Sequence, residues 1–112
     1  MDSMCLLLNL WEEKTMIVEL SIIPIGVGTS LSEYVAMVMK IIQESRLKYE
    51  SHSMGTNIEG EWDEIMPLIK RCHEGLYQKG VQRISTTLRI SDRIDKPYTM
   101  EGKMESLERK LR

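Results

Sequence analysis

The groups that could do chemistry in this chain are two histidines, two cysteines and a scatter of carboxylates, and their spacing narrows the options. Cys72 and His73 are adjacent, and neighbours on a helix point about 100° apart, so the pair cannot jointly grip one metal ion. Cys72 reads as a core residue and His73 as a surface residue. His52 has no second histidine, and no cysteine at ligand spacing, to make a metal site. It is left as either a ligand contact or a cross-strand partner of Glu50 or Glu59. Glu19 and Glu59 could form a carboxylate pair, but Arg83 and Arg89 are equally natural counter-charges. Nucleophilic catalysis needs a Ser or Cys beside a base and an orienting acid. The serines here fall at caps and strand positions with no such arrangement, so no metal and no cofactor are expected. Nothing in the residues asks for an enzyme, although that choice stays open at this point. Gly26-Val27-Gly28 lies between a strand and a helix, yet Leu31 stands where a dinucleotide fingerprint needs its third glycine. Turn geometry accounts for those residues.

Composition sets the frame. Of 112 residues, 15 are Lys or Arg and 17 are Asp or Glu, so no basic field draws the chain to nucleic acid or anionic membrane. Hydrophobic residues at 42% and charged residues at 29% fit one globular domain. A chain of this size buries about two-thirds of its unfolded surface, which makes self-association attractive. Two cysteines build no disulfide framework, and a reduced cytoplasmic setting is expected. No apolar run approaches the roughly 20 residues of a membrane span. Residues 1–15 contain the apolar stretch Met4 to Trp11, without a cationic start or a small-residue cleavage site, so a signal peptide is rejected. They read as a leader, with Met16 as the natural first residue and 16–112 as the domain.

Met16 opens a β-branched run that ends at Pro24 and Gly26, a strand with a breaker behind it. Ser30-Leu31-Ser32-Glu33 has the form of a capping box, and Tyr34, Val35, Val38, Met39 and Ile42 give the following helix an apolar face to about Ser45. Leu47 to Met54 and Thr56 to Glu59 read as strands joined by a turn around Gly55. A second helix spans Trp62 to Lys79, with Ile65, Leu68, Ile69, Cys72 and Leu76 on one stripe. Pro67 should kink it or restart it, and Gly80 should stop it. Val81 to Ile90 alternates as a fourth strand, and Thr99 to Arg112 forms a short helix striped by Met100, Met104, Leu107 and Leu111. Strand-helix-strand-strand-helix-strand predicts an α+β ferredoxin-like sandwich, an antiparallel four-stranded sheet with both helices on one face.

Two helices leave the other face open. Alternation puts Glu19, Ser21, Lys48, Glu50, His52, Asn57, Glu59, Arg83, Ser85, Thr87 and Arg89 there, flanked by Ile17, Ile23 and Met54. Such a face is either solvated or a sheet-to-sheet interface enclosing a polar pocket for a small ligand. An RNA-recognition module shares the element order, but it needs aromatic platforms on the central strands, which carry none.

Several words in the chain resemble the thiamine-binding protein family: Glu19-Leu20-Ser21 with Pro24-Ile25-Gly26, Ser30 to Val35, Leu47-Lys48-Tyr49-Glu50, Met54 to Glu61 and Asp92 to Pro97. The resemblance runs from Met16 to about Leu107. It implies a ferredoxin-like subunit that pairs sheets into dimers and tetramers and binds thiamine or its hydroxymethylpyrimidine part in the cytoplasm without catalysis. Carried onto this chain, it marks Met54, Thr56, Asn57 and Glu59 as ligand residues. Glu19, Ser21 and Thr87 join them through the open-face reading. Glu59 and Asn57 would recognise the aminopyrimidine, Glu19 would offset cationic charge, and Met54 would pack on a ring. The rival expectations are a regulatory module for another metabolite such as an amino acid, a small dimeric enzyme using Asn57 or His52, and an oligomer with an assembly role alone.

Overall fold

Alternation settles the first element. Met16, Val18 and Leu20 are buried while Glu19 and Ile23 are exposed, so Met16–Ile25 runs as strand β1 with one face inward. The computed structural model describes residues 14–112, and the remainder of the expected leader lies outside them. Helix α1 (Ser32–Glu44), strands β2 (Lys48–His52) and β3 (Gly55–Gly60), helix α2 (Trp62–Gln78), strand β4 (Arg83–Ser91) and helix α3 (Met100–Leu111) follow. The strands form one antiparallel sheet in the order β2-β3-β1-β4. This is the ferredoxin-like α+β sandwich that the element order predicts, with a third helix added.

Helices α1 and α2 bury Val38, Ile42, Ile65, Leu68, Cys72 and Leu76 against Met16, Val18, Leu20 and Ile58 of the sheet, and these residues make up the core. Burial pushes the Cys72 thiol up to about 11, which leaves it an inert core group. No helix among the described residues is long and apolar enough to cross a membrane.

Several local expectations change. Pro24 does not end β1, which runs through it to Ile25 with Pro24 opposite Ile84. Beyond Leu20 the strand pairs with β4 alone, and such an edge tolerates a residue without an N–H. The capping box expected at Ser30 and Glu33 does not form: α1 starts one residue after Leu31 with no side-chain cap, and Glu33 instead pairs with Lys79 at 2.6 Å. A reaching-back carboxylate occurs at α2, where Glu64 Oε1 accepts from the Glu61 N–H at 3.0 Å. Pro67 neither stops nor restarts α2, which runs through it as one helix. The position lies within two turns of the helix start, where one lost backbone bond is tolerated because the buried stripe on either side holds the helix. At its other end Gly80 takes φ +99°. There Gly80 N–H donates to Tyr77 O at 3.0 Å and Val81 N–H to Leu76 O at 3.1 Å, the paired bonds of a Schellman stop. Val81 is thereby drawn into the core, and β4 begins at Arg83. His73 is half-buried, not on the surface, because its Nε2 meets Thr86 Oγ1 on β4 at 2.6 Å.

The β2–β3 turn falls at Ser53 and Met54, one step before the expected place, and Gly55 is the first residue of β3, paired with His52. A Cβ on Gly55 would lie 2.7 Å from the Leu20 carbonyl oxygen, so glycine is needed for β3 to close on β1. Gly55→Ala should destabilise the protein by about 1–3 kcal/mol, measured as a lower urea midpoint. An unchanged midpoint would show that the two strands do not approach this closely.

Candidate functional site

Because β1, β3 and β4 are in register, side chains of one parity line up across the open face. Glu50 stands opposite Asn57, Asn57 opposite Glu19, and Glu19 opposite Arg89, a row that spans all four strands. The next row toward the β1 start is Lys48, Glu59, Ile17 and Ser91. Four strands are needed to assemble either row, and no stretch of the chain contains one.

After β4 the chain turns back so that α3 lies over this second row. Glu59 Oε1 accepts from the Met100 N–H at 2.8 Å, placing a carboxylate at the helix N-terminus, where the dipole favours it. Thr99 Oγ1 accepts from Gly102 N–H at 3.0 Å as the N-cap. Lys48 pairs with Glu101, and the carboxylate beside it raises the Lys48 pKa. Tyr98 is held by Ser91 at 2.7 Å through its hydroxyl, and its carbonyl accepts from Thr15 Oγ1 at 3.1 Å. Met100 is the one buried residue of α3, at 5% exposure, whereas Met104, Leu107 and Leu111 are exposed.

Between the start of α3 and the sheet lies a cavity of about 290 Å³, walled by Glu19, Glu50, Asn57, Arg89, Met100, Lys103 and Met104 among others. Asn57 is half-buried, and its Oδ1 is 3.2 Å from His52 Nε2. That nitrogen is also 3.5 Å from Glu19 Oε2. The Met54 N–H donates to His52 Nδ1 at 3.3 Å, which assigns the proton to Nε2 and points it at Asn57 and Glu19. His52 is thus a cross-strand partner, but of Asn57 and Glu19 in place of the expected Glu50 or Glu59.

The seven sequence-predicted ligand residues are dispersed. Glu19 and Asn57 meet in the sheet cavity. Glu59 is near by, with one carboxylate oxygen committed to α3. Thr56 is 6% exposed and turned to the helical face, where its hydroxyl meets Met39 Sδ at 3.4 Å. Thr56, Ser21 and Met54 line a second, mainly apolar cavity of about 390 Å³ under the start of α1. It lies where β1 runs on past the end of β3. Met54 is 80% exposed at the hairpin turn. Thr87 is exposed opposite Ser21 and lines neither cavity. Glu50 and Arg89 were marked by alternation as open-face residues, but their place in the Asn57 row needed the register. Lys103 and Met104 needed the docking of α3, whose apolar stripe was the only signal. Among the described residues, no group of three or more His, Cys, Asp or Glu side chains is placed to hold a metal ion.

A βαββαβ sheet with two helices on one face and a polar row on the other defines a ferredoxin-like α+β protein. The model of the thiamine-binding protein family matches residues 18–108, and the chain belongs to that family. It is 45% identical over 92 residues to a UPF0045 protein of Synechocystis, a match covering 82% of this chain and 76% of that one. Among solved structures, a hypothetical protein from Methanocaldococcus jannaschii superposes with a TM-score of 0.78 at 36% identity, covering 85% of this chain and 97% of the other. A protein from Thermotoga maritima, described as a candidate thiamine biosynthesis or salvage protein, gives a TM-score of 0.73 at 26% identity over 83% of this chain and 98% of its own.

The Glu59–Met100 contact makes a prediction about α3. Glu59→Ala should release the start of that helix at a cost of about 1–2 kcal/mol, seen as faster amide exchange in residues 100–111 while the α2 amides keep their protection. Unchanged exchange in α3 would show that the helix is held by other contacts.

Proposed function

We propose that the protein binds thiamine, or the hydroxymethylpyrimidine part of it, in the cavity between the open sheet face and α3, as a cytoplasmic homo-oligomer and without turnover. The observation that carries this reading is the row Glu50–Asn57–Glu19–Arg89, which walls one cavity together with Met100 and Met104 of α3. An aminopyrimidine presents an amino donor beside ring-nitrogen acceptors. The Asn57 amide both accepts and donates, and so matches that edge. The Glu19 and Glu50 carboxylates favour a cationic thiazolium, and Met100 and Met104 offer polarisable contacts to a ring. Asn57 and Glu19 keep the roles expected of them. In this reading Glu59 anchors α3, and the ring contact passes from Met54 to the α3 methionines. Family membership supports the ligand class, as does the description of the Thermotoga relative.

What α3 leaves bare supports self-association through the open face. Ile23 is 46% exposed and Ile25 37%, both on the open side of β1 beyond the helix. Joining two such faces would bury these residues and enclose the polar row.

Thermal-shift titration tests the ligand, with sedimentation velocity reporting the assembly state. Thiamine or the pyrimidine at about 100 times its dissociation constant should add about 2.7 kcal/mol to the folded state. Asn57→Ala and Glu19→Gln should each weaken binding by about tenfold or more, the loss of a hydrogen bond to a buried or charged group. No shift with either compound at millimolar concentration would end the thiamine reading. Native affinity in both variants would move the site elsewhere.

A further inference from the structure

On the side of α3 away from the polar row, the loop 93–99 and the helix enclose a cleft of about 450 Å³ lined by Arg93, Lys96, Lys103, Arg109 and Lys110, with no carboxylate in its wall. That is a concentrated positive surface on a chain whose net charge is −2. Arg93 is neutralised locally: it forks onto Asp95 and holds that carboxyl down at about 2. Among the described residues, Lys96, Lys103, Arg109 and Lys110 have no carboxylate at ion-pair distance.

Ordinary helix electrostatics explains part of this arrangement. Arg109 and Lys110 are in the last turn of α3, where cations complement the helix dipole. Lys103 is not so explained, because it lies near the N-terminal end, where a cation is disfavoured. Lys96 is in the loop and belongs to no helix. Lys103 and Arg93 both stand 5.7 Å from the centroid of the Tyr98 ring, so the loop gathers positive charge around one aromatic residue. Hydrogen bonds with Ser91 and Lys103 lower the Tyr98 phenol pKa. Four cations converging on one concavity repel each other unless an anion sits among them.

We propose that this cleft is a binding site for a phosphate or diphosphate group carried by a small molecule, held by Lys96, Lys103, Arg109 and Lys110 with the Ser106 hydroxyl as a neutral partner. Several charge-assisted hydrogen bonds to one polyanion suit this donor set. Lys103 lines both this cleft and the sheet cavity, so the two are neighbours. A phosphate ester could therefore place its ring under α3 and its phosphate among the lysines. That extension rests on the ring site proposed above, whereas the anion site itself does not.

Isothermal titration of the full chain with pyrophosphate, in low-salt chloride buffer, tests the anion site without any thiamine. Saturable binding is expected, weakening as salt is added. Lys96→Gln and Lys110→Gln should each reduce affinity by about tenfold, while Lys110→Arg retains it, with circular dichroism confirming that α3 stays helical in every variant. Absence of saturable binding at millimolar pyrophosphate would overturn the proposal, as would native affinity in both glutamine variants. Parallel titrations with thiamine and thiamine diphosphate separate the two sites. Pyrophosphate binding without thiamine binding leaves the cleft standing and removes the ring site, and the reverse pattern removes the cleft.

Discussion

A four-stranded sheet covered by helices on one side has a second face whose side chains must be wet or must be covered by something else. In this protein that face is polar along one row and apolar at its margins, so neither option is simple. Glu50, Asn57, Glu19 and Arg89 have been brought side by side by strand register. The row is held in place from the opposite side of the sheet. Met16, Val18, Leu20 and Ile58 are fully or almost fully buried beneath α1 and α2, and a one-residue slip of either central strand would carry them to the open side. The hydrophobic core thereby fixes the geometry of a site it does not touch.

Helix α3 is the protein's partial answer to the open face. It covers only the row at the β1 start and is secured there by one carboxylate on its first N–H, an ion pair from β2 and a buried methionine. The rest of the helix stands with Met104, Leu107 and Leu111 exposed. Fastening at one end gives α3 two distinct borders. One closes a cavity over the polar row, and the other forms the wall of the basic cleft. Lys103 belongs to both, so occupancy of one would be felt electrostatically at the other.

Much of this was legible in the chain. Period-two patterning from Met16 and over Val81 to Ile90, the apolar stripe of α2 and the stop at Gly80 each have a local physical cause, and the elements formed there. Their ends moved, since β1 runs on through the expected breaker Pro24 to Ile25 and β4 spans Arg83–Ser91. Local reasoning failed where two local devices compete. Glu33 had the spacing of a capping residue but is drawn off by Lys79 from α2. Pro67 has the form of a restart point, yet α2 runs through it as one helix from Trp62 to Gln78. The word Met54 to Glu59 was the most recognisable ligand segment, yet its side chains divide among the hairpin tip, the helical face, the open row and the α3 anchor. Successive residues of a strand point to opposite faces, so a contiguous motif in a strand cannot be a contiguous site.

By itself, the sequence determined the element order, the fold class, the inward and outward parity of each strand and the family to which the chain belongs. Those properties follow from periodicity, turn residues and recognisable local words, all of which act over a few residues. Only the tertiary structure decided which open-face residues become neighbours, that Glu59 serves α3, and that the last helix separates a polar cavity from a basic cleft. These depend on register and docking between segments as far apart as Glu59 and Met100. Such long-range pairings are selected by the sum of many packing contacts across the sheet, and no single stretch of the chain carries that sum.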